Sequence, residues 1–317
     1  MAKIHAAVDI GSHTARLLVA RESGMSGVID PIARKRAYIR LAEGFNESGD
    51  KIIAPVAMDR ALNVLHDFSI YINCIGVNFV HAVATGVIRE ASNRDAFLDR
   101  IYEYTGIRVR TITGIEEAVL TAKGALHELN IHTSPFVVFD LGGGSTEFLI
   151  GSGCERVARS VPLGASTMTK KYFRSDPPEG AQVNTLLKHV DRCLNASNLN
   201  VPGARDSSLL VGTGGTVTTL AVMIHGIPLE NMSAGVINGL ILKRCKIEAL
   251  FNEMKDLSLG ARLKLPGLDK GRAGVILAGC LMVLRILSFF RSVQLTVSMS
   301  DLLEGLLFEN FEGKGND

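Results

Sequence analysis

Residues 139–148 read FDLGGGSTEF: two carboxylates enclose three glycines and two hydroxyls, and the apolar run PFVVF leads into them. Glycine tolerates positive φ and close approach, so the backbone N–H groups of Gly142, Gly143 and Gly144 can line one concavity and cradle a phosphoryl group. Ser145 and Thr146 add hydroxyl donors, and Asp140 and Glu147 are oxygen ligands of the kind Mg²⁺ takes while keeping several waters. The same residue types also build an ordinary tight hairpin. Duplication favours the chemical reading, because VDIGSHTARLLVA (residues 8–20) repeats the plan of strand, aspartate, glycine-containing turn with hydroxyls, and strand. Its Gly11, Ser12, His13 and Thr14 form the matching turn, and Asp9 is the counterpart of Asp140.

A third glycine turn, VGTGGTVTTLA (residues 211–221), opens an expected helix, where the amides around Gly214 and Gly215 suit a further phosphate or a nucleotide. Close packing of helix on strand through glycine is the structural alternative. No GK[ST] follows any of these turns, and no GxGxxG opens a helix, which disfavours P-loop and Rossmann folds. Thr113-Gly-Ile-Glu116 is a capping-box pattern that occupies Glu116 at a helix start. Glu117 then points about 100° around that helix and is free for other work. In ARKRAYIR, Arg34, Arg36 and Arg40 alternate along an expected strand and share a face, which suits either a polyanion or a charged sheet edge.

The elements that must position these residues form two α/β series. The first has strands over 4–9, 15–21 and 28–40, a helix over 52–74, a strand over 77–84, a helix over 93–104 and a strand over 107–112. A helix over 115–129 leads to the second, with strands over 136–140, 145–151 and 155–162, helices over 166–173 and 179–196, a strand over 207–212, and further helices ending at LLEGLLFE. Two domains, 1–123 and 124–317, are expected, with the last helix free to pack back on the first. A formal charge of +2 over 317 residues argues against general nucleic-acid binding. Five scattered cysteines without a CxxC fit a reducing cytosol. MAKIHAAVDIG enters its strand without a leader pattern, and the apolar stretch 274–290 contains Arg285 and is shorter than the roughly 20 residues a membrane span needs, so no membrane association is expected.

Taken in order, DIGSHTARL, IRLAEGF, ATGVIREA, TGIEEA, DLGGGSTE, GTGGT, LPGLDKGRAGVILAG and LLEGLLFE resemble the exopolyphosphatase and guanosine pentaphosphate phosphohydrolase family of the actin-like ATPase superfamily over nearly the whole chain. The resemblance implies an α/β fold of two duplicated actin-like (ribonuclease H-like) domains around a central cleft. It also implies a Mg²⁺-dependent, or Mn²⁺-dependent, hydrolase that removes the terminal phosphate of inorganic polyphosphate or the 5′ γ-phosphate of guanosine pentaphosphate. Glu117 matches the family's catalytic base and Arg89 the arginine that contacts the phosphoryl group. Asp140 and Glu147, with Asp9 as first-domain counterpart, match the metal and water ligands, and the glycine turns with Arg40 match substrate contacts. A homodimer is expected, and a catalytically silent polyphosphate or nucleotide sensor is the alternative of a different class.

Departures from the family pattern accompany the match. His13 stands where Asn is usual, Leu303 where Arg is usual, and Gly274 where an acidic residue follows Arg272-Ala273. Many relatives continue into a helical C-terminal domain, whereas this chain ends at FEGKGND, so short polyphosphate chains are the expected preference.

Overall fold

The computed structural model describes residues 3–22, 29–45, 49–204 and 209–312. Val28, Ser207 and Ser208, at the ends of expected strands, lie outside them, as do the last five residues of the expected tail. The chain divides into two compact units, one comprising 1–124 with 302–317 and the other 125–301.

In the first unit the order is β1 (Ile4–Ile10), β2 (Thr14–Glu22), β3 (Ile29–Tyr38), α1 (Pro55–Ile75), β4 (Phe79–Ala84), α2 (Gly86–Glu90), α3 (Arg94–Thr105), β5 (Val109–Thr111) and α4 (Gly114–Glu128). Its sheet runs β3-β2-β1-β4-β5, antiparallel through the first three strands and parallel from β1 to β4 and β5. β1 is buried from His5 to Ile10, as a central strand covered on both faces must be, and is apolar apart from His5 and Asp9. The preset φ of Pro55 starts α1, and Gly76 at φ +73° ends it.

The second unit repeats the plan. β6 (Phe136–Leu141), β7 (Thr146–Ser152) and β8 (Glu155–Val161) form a meander, followed by α5 (Ala165–Tyr172), α6 (Gly180–Ala196), β9 (Leu209–Thr213) and α7 (Gly215–His225). The chain continues through α8 (Ala234–Ile237), β10 (Ile241–Lys243), α9 (Arg244–Met254), α10 (Leu259–Arg262), α11 (Ile276–Phe289) and β11 (Gln294–Val297). This sheet runs β10-β11-β9-β6-β7-β8, with β9 parallel to β6 as β4 is to β1. The last helix, α12 (Leu302–Glu312), belongs to the first unit.

Sequence periodicity located most elements and missed three. α2, β10 and β11 are three to five residues long, too short to show a period, and β11 directly follows the apolar helix α11. The third strand ends at Tyr38 rather than at residue 40, because Arg40 adopts φ +48° and leaves the extended region. Arg40 therefore does not share the strand face of Arg34 and Arg36.

The apolar stretch 274–290 is α11, whose residues Ile276–Val283 are buried in the second core. No helix among the described residues is long and apolar enough to cross a membrane. That core centres on Phe139 and Phe148, both fully buried with ring centroids 6.2 Å apart. Phe148→Ala is expected to destabilise the second unit by about 3–5 kcal/mol in urea denaturation. Burial also pushes the Cys280 thiol well up, so Cys74, Cys154 and Cys245, all exposed, should react with a thiol reagent in the native state while Cys280 waits for unfolding.

Candidate active site

The duplicated hairpins differ at one register position, and that difference sets their chemistry. On β1 and β2, Asp9 lies directly opposite Arg16; on β6 and β7, Asp140 lies directly opposite Glu147. Directly opposed residues present their side chains on the same sheet face. In the first unit the row across the sheet reads Arg36, Arg16, Asp9, Val83. In the second it reads Ser160, Glu147, Asp140, Thr213.

Asp9 is 4% exposed, and Arg16 holds it through Nε at 2.9 Å and Nη2 at 2.8 Å. Arg16 thus supplies a counter-charge to one oxygen of Asp9, the residue matched to a metal ligand. Asp140 and Glu147 place two nearly buried carboxylates across from each other, and Glu147 accepts a 2.7 Å hydrogen bond from Ser160 Oγ. Two like charges so placed raise each other's affinity for a cation. The buried Thr213 hydroxyl, which has no hydrogen-bond partner, ends the row beside Asp140. These oxygens fit a hard divalent ion. No group of three acidic, histidine or cysteine side chains converges among the described residues, so waters and phosphate oxygens would complete its shell.

Beside this pair, the glycine turn is oriented by α5. The carbonyl of Gly142 accepts from Ala165 N–H, and that of Gly143 accepts from Ser166 and Thr167 N–H, at 3.0–3.1 Å. A trans peptide points its N–H opposite its carbonyl, so the N–H groups of Gly143 and Gly144 are turned away from α5 and toward the open side of the turn. Amides so disposed suit an anion. It depends on Gly164, where a Cβ would collide with the Gly143 carbonyl. Gly164 was not anticipated, because only the fold brings it against the turn. Ser145 closes the turn by accepting from Gly142 N–H at 3.0 Å. Thr146 points elsewhere: its buried hydroxyl donates to the Leu163 carbonyl and is thereby committed to the scaffold.

The third turn adjoins the same pair. Gly214 adopts φ +95°, and a Cβ there would come within 2.6 Å of Asp140 Oδ1. The structural alternative is met, since glycine is needed here for close approach, and Gly214 and Gly215 stand at the start of α7. The guanidinium of Arg272, 7% exposed, packs against Gly215. Its LDKGRAG context was legible as a motif, but its place against the turn was not.

In the first unit, Gly11 N–H bonds the Thr14 carbonyl at 3.0 Å and closes the shorter turn. The Ser12 carbonyl accepts from Ala42 N–H, which turns the His13 N–H outward by the same peptide geometry. Ser12 Oγ accepts from Val87 N–H at 3.0 Å over Gly86, so Ser12 joins the turn to α2. The His13 ring meets Tyr38 edge-on with centroids 5.4 Å apart.

The tie to α2 matters because α2 carries Arg89. Its Nη1 donates to the Ile112 carbonyl at 3.1 Å and to Glu117 Oε2 at 3.3 Å. Arg89 and Glu117 are 23% and 13% exposed and stand together as expected. Half of the predicted capping box is formed, with Glu116 N–H on Thr113 Oγ1 at 3.1 Å, but the Glu116 carboxylate pairs with Arg110. Glu116 is occupied by a different partner from the one expected, and Glu117 still faces the other way. Arg40 is exposed and pairs with Glu43 at 3.5 Å, and its backbone N–H donates to the His13 carbonyl at 3.0 Å, which sets it beside the first turn.

The sequence profile of the Ppx/GppA phosphatase family matches residues 18–313. The chain belongs to that family. Exopolyphosphatase 2 of Mycobacterium tuberculosis is 30% identical over 312 residues, which cover 95% of this chain and 96% of that protein. The guanosine-5′-triphosphate,3′-diphosphate pyrophosphatase of Aliivibrio fischeri is 28% identical over 97% of this chain but only 59% of its own length. The crystal structure of the Aquifex aeolicus Ppx/GppA family member superposes with a TM-score of 0.84 at 28% identity, over the full length of both chains. As the motifs implied, this Ppx/GppA chain has the α/β fold of two actin-like, ribonuclease H-like domains and is a phosphoanhydride hydrolase.

Two substitutions test the local geometry. Gly164→Ala should swing the Gly142–Gly144 turn and weaken pyrophosphate binding about tenfold or more in calorimetry, the loss of at least one charge-assisted hydrogen bond. Mg²⁺ is expected to raise the melting temperature of the wild type, and Glu147→Gln, which removes one of the two carboxylates, is expected to lose most of that rise.

Proposed function

We propose that the protein is an exopolyphosphatase that removes orthophosphate from the end of inorganic polyphosphate with Mg²⁺ or Mn²⁺ bound at Asp140 and Glu147. The observation that carries this reading is the pair of contrasting rows on the duplicated hairpins, one bearing Arg16 and Arg36 and the other Asp140 and Glu147. Phosphoryl transfer needs positioning and charge stabilisation more than covalent chemistry, and each row brings charge to its own hairpin. The bound metal neutralises charge on the phosphate oxygens. The outward N–H groups of Gly143 and Gly144 receive the terminal phosphoryl oxygens.

Without substrate, Arg89 is held by Glu117. A phosphoryl group that draws Arg89 to itself leaves the Glu117 carboxylate to orient a water and accept its proton. The water oxygen bonds to phosphorus, the bridging P–O bond breaks, and the chain shortened by one phosphate leaves. The near-complete coverage of the mycobacterial exopolyphosphatase supports polyphosphate over guanosine pentaphosphate as substrate. Five free cysteines support a reducing compartment.

The test is phosphate release with Mg²⁺ from short polyphosphate, long polyphosphate, guanosine pentaphosphate and ATP, for wild type and Glu117→Gln. Release from polyphosphate, faster from short chains and reduced about 10²–10⁴-fold in the variant, is expected. Preference for guanosine pentaphosphate would move the assignment to the alarmone, and polyphosphate binding without release from any substrate would leave a sensor.

A further inference from the structure

Residues 302–312 follow the whole second unit in sequence, yet α12 packs on the sheet of the first. Leu302, Leu303, Leu306, Leu307 and Phe308 are buried with Ala7, Leu18, Val83, Ile112 and Leu120. Leu303, where the family resemblance leads one to expect arginine, is fully buried in this cluster, so α12 is docked there by apolar area.

Two contacts connect α12 to α4, the helix of Glu117. A Cβ on Gly305 would run into the backbone carbonyl of Leu120, closer than any real Cβ contact, so these helices meet backbone to backbone. Neither side of that contact is a side chain that could swing aside. Leu120 lies one turn along α4 from Glu117, on the same helix face. The second contact is Arg110, which pairs with Glu116 in the first turn of α4 and, at 3.5 Å, with Glu309 of α12. Glu304 on α12 is itself buried and anchored by Arg34 of β3. α12 is therefore fixed to the sheet and braced against α4 at two levels.

We propose that Gly305 is a positioning residue for Glu117, setting through Leu120 the depth at which α4 sits and hence the placement of the Glu117 carboxylate on Arg89. The catalytic part of this inference rests on Glu117 acting as the base; the mechanical part does not. A displacement of about 1 Å at a catalytic group can cost roughly 10²-fold in rate, so even the small shift forced by one methyl group should register.

The experiment compares Gly305→Ala with wild type by hydrogen exchange of the α4 amides, phosphate release from polyphosphate, and the pH profile of kcat. Exchange at residues 117–120 should quicken about tenfold or more while that of β1 is unchanged. With it, kcat should fall about 10- to 100-fold, KM should stay within about threefold, and the acid limb of the kcat profile should move. Unchanged exchange in α4, exchange that quickens equally throughout the first unit, or a lowered kcat with an unmoved pH profile would overturn the proposal. Should Gly305→Ala not fold, Glu309→Gln decides: faster exchange confined to residues 114–117 supports the brace, and unaltered exchange removes it. A wild type that releases no phosphate overturns the Glu117 role together with the exopolyphosphatase reading, a failure distinct from that of the brace, which the exchange data judge alone.

Discussion

The arrangement of the second unit turns on the direct opposition of Asp140 and Glu147 across β6 and β7. Two carboxylates on neighbouring strands of one sheet face are unfavourable by themselves, and a protein that keeps them nearly buried needs an opposite charge there. Everything around them limits how that charge can arrive. Gly214 passes against Asp140 without a side chain, Ser160 donates to Glu147, and the amides of Gly143 and Gly144 open on the side away from α5. A divalent ion held by these carboxylates would supply charge neutralisation there.

The first unit applies the same scaffold to the opposite problem. Its hairpin keeps the aspartate but replaces the second carboxylate by Arg16, with Arg36 next in the row. Asp9 holds Arg16 through one carboxylate oxygen. A duplicated fold has in this way acquired one hairpin with a neutral Asp9–Arg16 pair beside Arg36 and one with two opposed carboxylates beside Ser160. The third ingredient, the Arg89 and Glu117 pair, is held close by short connections, because Ser12 ties the first turn to α2 and the Ile112 carbonyl ties Arg89 to the start of α4.

Glycine does two separate jobs in these sites. Gly142–Gly144 supply the turn itself, whereas Gly164, Gly214 and Gly305 lack a side chain because another segment's backbone or carboxylate occupies that space. Turn glycines are visible in a sequence by their clustering. Glycines of close approach are scattered singly and carry no local signature, so Gly164 and Gly305 escape notice until the partner segment is in place.

Much of the fold was legible in the sequence, because hairpins and helices of ten or more residues follow from local periodicity and turn chemistry. The repeat of aspartate, glycine turn and strand therefore disclosed both the duplication and the place of the phosphate loops. The capping pattern at Thr113 freed Glu117 for its pairing with Arg89 even though Glu116 found Arg110 instead. Tertiary structure alone decided which charges oppose one another, that the Thr146 hydroxyl is committed to Leu163, that Arg40 leaves the strand, and that α12 returns to the first unit. The physical reason is register and range: a turn or a cap is settled within a few residues of chain, the opposition of Asp140 to Glu147 depends on the pairing register that the hairpin adopts, and a backbone contact or a docked terminal helix depends on segments tens to hundreds of residues apart.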